Sequence, residues 1–262
     1  MISLVIVEYH SIEEINKCVT SIKSHINIPF EIIISSNSCY DKEKQNELKQ
    51  STEGNVLWLF NEHNGGFAYA MNEGLKKAKG NYLAIMNSDC ILESGLENMV
   101  AFMDRHKEIG AIAPQMKDDD GNIQDTARPY VSVPRYVWRQ VKRIVGHKKS
   151  ILTRKMDYSK RQTVDWLIGA FIMVSRQAYE ATEGLDQKFF LYAEDLDWCT
   201  RIRESGFEVV YYPKAVITYK GTRRARHNSK YARIFISSHI RYWKKYGYFS
   251  NYPPRKKKVF QE

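Results

Sequence analysis

The first hundred residues alternate short β-branched apolar runs with amphipathic helical patterns, and this order limits the folds available to the chain. Apolar runs at residues 2–7, 30–34, 56–60 and 82–86 have the length and composition of buried strands. Residues 11–25, 67–79 and 93–106 instead place their apolar side chains at helical spacing. The sequence therefore predicts an α/β fold in which helices cover both faces of a mostly parallel sheet.

Polar, turn-forming residues follow each predicted strand. In open α/β sheets ligands bind beyond the carboxyl ends of the strands, so these turns are the first candidates for a binding site. They hold Glu8-Tyr9-His10, Ser35-Ser36-Asn37-Ser38, residues 61–67 and Asn87-Ser88-Asp89. The chain contains neither a GxGxxG nor a GxxxxGK[ST] motif, which argues against a dinucleotide-binding Rossmann enzyme and against a P-loop NTPase.

Three carboxylates interrupt an aromatic and apolar run at residues 189–201. They are Glu194, Asp195 and Asp197. Carboxylates are costly to desolvate among buried aromatic side chains, so acids in such a place are typical of catalysis, although a structural ion-pair network is the alternative. One of the three is a candidate catalytic base.

Composition indicates one globular core, with or without an appended lobe. The chain has 262 residues, of which 43% are hydrophobic and 13% aromatic. Its four cysteines lack CxxC spacing, so we expect reduced thiols and a cytoplasmic setting rather than a zinc cluster or a disulfide framework. We interpret residues 1–7 as a first strand rather than a signal peptide, and no apolar run approaches the roughly 20 residues that span a bilayer. A soluble or peripheral protein is expected.

The formal net charge of +10 is unevenly distributed. Residues 209–261 contain no acidic residue, and Asp157 is the only acid in a second basic tract at residues 128–161. Segregated positive charge predicts an anionic partner such as nucleic acid, phospholipid headgroups or a phosphorylated substrate, whereas a solvated surface is the simpler interpretation. Residues 136–145 and 231–246 combine basic and aromatic side chains at helical spacing, which suits either an anionic membrane surface or packing into a core or dimer contact.

Five motifs together resemble family 2 glycosyltransferases with the GT-A fold. In chain order they are Tyr9-His10-Ser11, Asn64-Gly65-Gly66-Phe67 with Asn72-Glu73-Gly74, Asn87-Ser88-Asp89, Trp166-Leu167-Ile168-Gly169-Ala170 and residues 189–201. The similarity covers roughly residues 1–220 and is closest to the bacterial rhamnosyltransferase-like branch. The resemblance implies a GT-A domain at residues 1–220, with a nucleotide-binding half at 1–110 and an acceptor-side half at 111–220. Residues 221–262 then form a basic helical C-terminal extension.

The resemblance also implies roles for individual residues. Asp89 matches the metal-binding Asp of the family's DxD motif and would bind Mg²⁺ or Mn²⁺, and Asp195 matches the base that deprotonates the acceptor hydroxyl in an inverting displacement. Glu194, Asp197 and Trp166 are implied to contact the acceptor or to support Asp195. The implied donor-binding residues are Tyr9, Asn37, Asn64, Gly66, Phe67, Asn72, Asn87, Ser88, Gly169, Ala170 and Arg201. For Arg201, an ion pair within its helix is an equal alternative.

Three positions depart from the family pattern. Ser36 replaces an Asp that contacts the nucleotide base, and Glu8 stands where Thr or Ser is usual. Tyr219 occupies the place of a His that often serves as a further metal ligand, and His227 is a candidate substitute for it. Base preference and metal dependence are therefore the properties that these changes affect.

The implied activity is transfer of a sugar from a dTDP- or UDP-sugar, with dTDP-rhamnose as one candidate, in surface polysaccharide synthesis. The acceptor would be a hydroxyl of a glycan or of a polyprenyl-diphosphate-linked glycan, which places the enzyme in the cytoplasm or at the inner face of the membrane. Nucleic acid is not expected as a partner, because the acidic block at 189–197 would oppose phosphate. Two rival classes are a sugar nucleotidyltransferase and a basic nucleic-acid-binding protein.

Overall fold

The computed structural model describes residues 1–52, 54–130, 132–134, 156–219, 221, 228–248 and 259–260. The predicted helix at 136–145 and the candidate ligand His227 lie outside these residues. The strands are β1 (Ile2–Glu8), β2 (Phe30–Ser36), β3 (Val56–Phe60), β4 (Tyr82–Asn87), β5 (Cys90–Leu92), β6 (Ile109–Lys117), β7 (Ala127–Arg128), β8 (Gln162–Thr163), β9 (Trp166–Leu167), β10 (Phe171–Ser175) and β11 (Glu208–Tyr219). The helices are α1 (Ile12–His25), α2 (Lys42–Ser51), α3 (Phe67–Lys77), α4 (Glu97–Arg105), α5 (Arg176–Thr182), α6 (Glu194–Glu204) and α7 (Ser229–Tyr246).

The first four predicted strands form a parallel unit in the order β3-β2-β1-β4. β1 runs parallel to both β2 and β4, and β2 runs parallel to β3. Every residue of β4 from Tyr82 to Met86 is buried, which explains why the sequence shows a continuous apolar run rather than an alternating one. The carboxyl ends of β1, β2 and β4 therefore meet at one edge, where the polar turns lie.

The rest of the main sheet mixes strand directions. β10 lies antiparallel between β4 and β6, β11 runs parallel to β6, and β5 and β8 pair antiparallel with β11. Strands from both predicted halves of the domain thus belong to one main sheet, which has nine strands among the described residues. Strands β7 and β9 form a separate two-stranded sheet. The predicted α/β class is confirmed, with antiparallel strands added to the parallel unit.

Helices cover both faces of the main sheet, and each face has its own apolar core. Helices α1 and α4 pack on one face, with Ile15, Ile22 and Phe102 among the buried side chains. Helices α3, α5, α6 and α7 contribute to the opposite core, which includes Trp198 and Tyr242. The described residues contain no helix that is long and apolar enough to cross a membrane.

Local sequence explains most helix boundaries. Helix α1 begins one residue after the predicted start and ends at the predicted residue, His25. Helix α4 begins at Glu97 rather than at residue 93, because the preceding residues form β5 and a turn. Helix α2 was not predicted, since Leu48 is its only buried residue, although Asp41 caps it by accepting a hydrogen bond from Lys44 N at 2.8 Å.

Candidate active site

Residues 169 and 170 join the two acidic positions that the sequence singles out. Gly169 N donates a 2.8 Å hydrogen bond to Asp195 Oδ2. The carbonyl oxygen of the next residue, Ala170, accepts a 2.9 Å hydrogen bond from Asn87 N, at the start of the Asn87-Ser88-Asp89 turn. A two-residue backbone segment therefore holds the predicted base on one side and the predicted metal-binding turn on the other.

Asp195 lies in the first turn of α6, where two backbone N–H groups fix its carboxylate. Besides Gly169 N, the amide of Leu196 donates to Asp195 Oδ1 at 2.7 Å. The two residues before the helix, Tyr192 and Ala193, adopt left-handed backbone with φ of 70° and 66°. Non-glycine residues rarely adopt this conformation, and paired cases next to a buried acid are typical of functional sites.

Burial raises the pKa of Asp195, while its backbone hydrogen bonds and the Arg128 guanidinium act in the opposite direction without cancelling the effect of burial. Burial raises the pKa of the neighbouring Glu194 well above its usual value, and the charge of Asp195 adds to this increase. Asp195 has two N–H donors, whereas Glu194 Oε2 is buried without a hydrogen-bond partner among the described residues. We infer that Glu194 retains its proton when Asp195 ionises.

Trp166 contributes a second buried polar atom beside Asp195. Its indole N–H acts to lower the pKa of the Asp195 carboxyl. This N–H forms no hydrogen bond of good geometry with a described residue, so it remains able to donate one to a ligand. The Arg128 guanidinium carbon lies 5.2 Å from the centre of the Trp166 ring. A buried indole N–H and a buried carboxyl oxygen, Glu194 Oε2, both without a hydrogen-bond partner among the described residues, are suited to a ligand that carries hydroxyl groups.

Asp197 does not face this site, which corrects its interpretation as a group that contacts the acceptor. Its side chain is fully buried and accepts hydrogen bonds from Arg201 Nε at 2.8 Å, Lys245 Nζ at 2.7 Å and the Tyr246 hydroxyl at 2.9 Å. Asp197 thereby ties α6 to the C-terminal helix α7. It supports Asp195 only through the position of α6.

The hydrogen bonds of the Arg201 guanidinium are also made within the protein. Besides Asp197, its guanidinium donates hydrogen bonds to the carbonyl oxygens of Thr182 and Gly184. The ion pair within the helix is thus the alternative that the structure supports, and the donor-binding role is not retained. Asn72 needs a similar correction, because both ends of its amide hydrogen-bond to the backbone of Leu185, at 2.7 Å and 2.9 Å.

The remaining donor-binding candidates occupy neighbouring loops. Asn37 Nδ2 donates to Asn64 Oδ1 at 3.2 Å and to the Gly66 carbonyl at 3.0 Å, so the turns after β2 and β3 are linked. Gly66 has φ of 91°, and a Cβ there would lie 2.3 Å from the Phe190 carbonyl oxygen, so only glycine fits. The same carbonyl accepts from Phe67 N at 2.8 Å. These loops therefore contact the segment that leads to Asp195. Tyr9 lies exposed after β1, with its ring 4.6 Å from that of His10.

A buried carboxylate that was not assigned a role from the sequence organises the same edge. Glu8 accepts hydrogen bonds from the hydroxyls of Ser36 at 2.5 Å, Ser38 at 2.8 Å and Tyr40 at 3.1 Å, and from Ser11 N at 2.9 Å. Its side chain is fully buried. The signal in the sequence was the pair of departures at positions 8 and 36, which the strand register places opposite each other.

The turn after β4 offers one carboxylate to a cation. Asp89 is half-buried, and Asn87 Nδ2 donates to the Tyr219 hydroxyl at 3.4 Å. Burial, and after it the charge of Asp89, raises the pKa of Tyr219, so this phenol stays protonated and is a poor ligand. In the described part of the chain no three His, Cys, Asp or Glu side chains cluster suitably for a metal ion. The residues present fit a cation held by Asp89 and by substrate oxygens, which is how Mg²⁺ is often bound.

A mixed sheet with this strand order, a carboxylate turn after β4 and an Asp at the start of α6 define a GT-A type of glycosyltransferase. Comparison with known proteins agrees. Residues 3–182 match the model of Glycosyl transferase family 2, and the chain belongs to this family. Family membership selects the transferase over the rival nucleotidyltransferase.

Curated relatives are similar over most of the chain. An N-acetylglucosaminyl-diphospho-decaprenol L-rhamnosyltransferase of Mycobacterium tuberculosis is 23% identical, over 93% of this chain and 87% of the relative. Rhamnosyltransferase WbbL of Escherichia coli is 24% identical, over 69% of this chain and 65% of its own length. These similarities agree with the rhamnosyltransferase-like branch that the motifs indicated.

Solved structures share the fold at low sequence identity. The crystal structure of GalNAc-T7 with UDP, GalNAc and Mn²⁺ matches with a TM-score of 0.66 and 17% identity, over 93% of this chain and 47% of that one. The mannosyltransferase PcManGT from Pyrobaculum calidifontis, in complex with GDP-Man and Mn²⁺, matches with a TM-score of 0.63 and 16% identity, over 97% of this chain and 66% of that one. The predicted GT-A fold is confirmed.

Proposed function

We propose that this enzyme transfers a sugar, with inversion, from a dTDP- or UDP-sugar to a hydroxyl of a polyprenyl-diphosphate-linked glycan in surface polysaccharide synthesis. L-Rhamnose is the sugar that the names of two relatives favour. One observation carries the proposal: Asp195, the predicted base, receives a hydrogen bond from Gly169, whose neighbour Ala170 receives one from the metal-binding turn.

Asp195 acts as the general base in this proposal. A sugar hydroxyl is a weak nucleophile, and a positioned carboxylate that accepts its proton contributes on the order of 10² to 10⁴ in rate. The oxygen of the acceptor hydroxyl then attacks the anomeric carbon on the face opposite the departing nucleoside diphosphate, which inverts the configuration at that carbon. The raised pKa of Asp195 makes it a better proton acceptor than an exposed aspartate.

Glu194 and Trp166 orient the acceptor. The protonated Glu194 carboxyl and the Trp166 N–H each provide a buried hydrogen-bonding atom without a partner among the described residues. A sugar ring presents several hydroxyls, so these atoms can fix one of them toward Asp195. The cost of burying them unpaired, on the order of 1–3 kcal/mol each, is removed when the acceptor binds.

Asp89 holds a divalent cation, Mg²⁺ or Mn²⁺, at the donor diphosphate, with Asn87 and Ser88 in the same turn. When bound, such an ion stabilises the negative charge that develops on the leaving nucleoside diphosphate. The two solved neighbours described above contain Mn²⁺. The loops that carry Tyr9, Asn37, Asn64 and Gly66 form the nucleotide side of the site.

The test is product release from a panel of UDP-, dTDP- and GDP-sugars, with and without Mn²⁺, in the presence of a polyprenyl-diphosphate-linked N-acetylglucosamine acceptor. We expect release of free nucleoside diphosphate and strict dependence of this release on the acceptor. In a parallel binding measurement, dTDP-rhamnose should give the largest thermal shift. Release of pyrophosphate would contradict the transferase assignment. Turnover with another sugar nucleotide only would contradict the choice of rhamnose.

A further inference from the structure

The outward face of α7 is basic and partly apolar along its whole length. Its side chains that are exposed and recur at helical spacing are Ser229, Lys230, Arg233, Ile236, Ser237, Ile240, Arg241 and Lys244, while the exposed Lys245 pairs with Asp186 and Asp197. We call this set the α7 stripe. It contains four cations, and the helix contains no acidic residue. Because residues three and four apart lie on one side of a helix, the cations lie on one side of α7 as two pairs, Lys230 with Arg233 and Arg241 with Lys244.

Two isoleucines lie along the helix between the two pairs of cations. Ile236 is 54% exposed and Ile240 is 39% exposed, one helical turn apart. Exposed isoleucine is costly in water, and the α7 residues that serve the core are different ones, namely Ser238, His239, Tyr242 and Trp243. The apolar pair is thus not required for folding of α7 onto the domain.

The inward face of α7 forms hydrogen bonds and an ion pair with α6 and with the segment before it, which carry the predicted base Asp195. Ser238 donates to the Leu191 carbonyl at 2.8 Å, and the Tyr242 and Thr200 hydroxyls lie 2.8 Å apart. Lys245 pairs with the buried Asp197 at 2.7 Å. Leu191 directly precedes the left-handed pair Tyr192 and Ala193, so one helix connects the α7 stripe to the start of α6.

We propose that the α7 stripe is a docking surface for an anionic lipid bilayer, on which Ile236 and Ile240 insert at the headgroup boundary and the four cations contact lipid phosphates. The four cations complement an anionic surface, since each Lys or Arg near an anionic bilayer strengthens binding roughly fivefold. The exposed Ile236 and Ile240 favour a bilayer over nucleic acid as that surface. The inference deepens the proposed function, because a polyprenyl-linked acceptor lies in the bilayer and docking by α7 brings it to the side of α6.

The experiment is co-sedimentation of the full chain with vesicles of phosphatidylglycerol and phosphatidylcholine at low salt, compared with phosphatidylcholine alone. We expect binding to the anionic vesicles only, with loss of binding at high salt. Arg233→Glu with Arg241→Glu should weaken binding by at least roughly 25-fold, from the loss of two cations. Ile236→Ser with Ile240→Ser should weaken it at both low and moderate salt.

A matched control reverses two charges on the other face of the sheet. Lys17→Glu with Lys42→Glu, on α1 and α2, makes the same change in net charge and should retain vesicle binding. Equal loss in this control and in the stripe variant would overturn the proposal, since it would show only a general charge effect. Absence of vesicle binding by the native chain would also overturn it.

Two further outcomes decide between partners. Tighter binding to single-stranded RNA than to anionic vesicles, lost in the Arg233 and Arg241 variant, would assign the stripe to nucleic acid instead. A concentration-dependent dimer that Ile236→Ser with Ile240→Ser abolishes would assign it to a second copy of the chain. The stripe variants should turn over a water-soluble, short-chain acceptor at the native rate, so failure of docking is distinguishable from failure of the transferase assignment.

Discussion

Glu8 and Ser36 face each other across β1 and β2, and the Ser36 hydroxyl donates to the Glu8 carboxylate at 2.5 Å. The resemblance described above implies the reverse arrangement in the family, with a hydroxyl residue at the first position and an Asp at the second. In this chain the carboxylate lies at the first of the two positions and at the same edge of the sheet. We interpret the two departures from the family pattern as one compensated exchange.

Restoring the family arrangement tests this interpretation. Glu8→Thr alone removes the carboxylate that accepts hydrogen bonds from four donor groups, so we expect the free energy of unfolding to fall by about 1–3 kcal/mol and donor binding to weaken. Adding Ser36→Asp should recover a large part of both, with a coupling of about 1 kcal/mol or more in a double-mutant cycle. Denaturant titration and calorimetry measure the two quantities.

The control uses a similar pair at the other end of the same strands. Ser3 donates to Glu31 at 2.6 Å, far from the polar turns, so Glu31→Gln should leave donor affinity unchanged. Strict additivity of the Glu8 and Ser36 substitutions would contradict the exchange.

The pH dependence of turnover follows from the raised pKa of Asp195. The base must be ionised, so kcat/KM should rise with pH through that pKa, and the acidic limb should lie above the ordinary aspartate value of 3.8. Glu194→Gln should keep the limb, because glutamine resembles a protonated glutamate. A pH–rate profile of both proteins checks this, and a limb that disappears in Glu194→Gln would identify Glu194 as the base.

We predict that the Tyr219 hydroxyl does not bind the cation. Because its phenol stays protonated, Tyr219→Phe should leave the affinity for Mn²⁺ unchanged in the presence of a nucleoside diphosphate. Tyr219→His adds a nitrogen ligand beside Asn87 and should tighten Mn²⁺ binding on the order of 10-fold. Titration calorimetry measures the affinity of both variants for Mn²⁺. Loss of Mn²⁺ binding in Tyr219→Phe would show that the Tyr219 hydroxyl is a ligand of the cation and would contradict the prediction.

The buried ion pair between Asp197 of α6 and Lys245 of α7 should contribute far more to the free energy of unfolding than an ion pair on the surface. Asp197→Asn removes the charge that Lys245 and Arg201 share, and we expect the free energy of unfolding to fall by about 3 kcal/mol. Lys76→Met breaks an exposed pair with Glu73 and should change it by less than about 1 kcal/mol. Equal effects in thermal or denaturant unfolding would contradict the structural role of Asp197.

Periodicity predicted the elements whose burial it reflects. The strands β1 to β4 and the helices α1, α3 and α7 have strong apolar patterns, because each is buried on one or both sides. Helix α2 has almost no apolar side, so the spacing of apolar residues did not predict it. The antiparallel position of β10 depends on pairing with strands distant in the sequence, which local spacing does not reveal.

The site was predictable in its residue types and less so in its contacts. The order of motifs singled out Asp89, Gly169 and Asp195, but the hydrogen bonds that join Gly169 to Asp195 and Ala170 to Asn87 are tertiary. Arg201 and Asp197 have the composition of a polar site, and only the fold shows that they face Lys245 and the backbone after α5. Glu8 was visible as an anomaly, and its meaning required the register of β1 and β2.

The central claim is that Asp195 accepts the acceptor's proton, and Asp195→Asn tests it most directly. The substitution preserves size but leaves residue 195 unable to take a proton. We expect kcat to fall by about 10² to 10⁴ while the affinity for the sugar nucleotide stays within about twofold. Asp186→Asn, the same change at a carboxylate outside the site, should remain active. Near-native turnover by Asp195→Asn, with donor binding intact, would contradict the account.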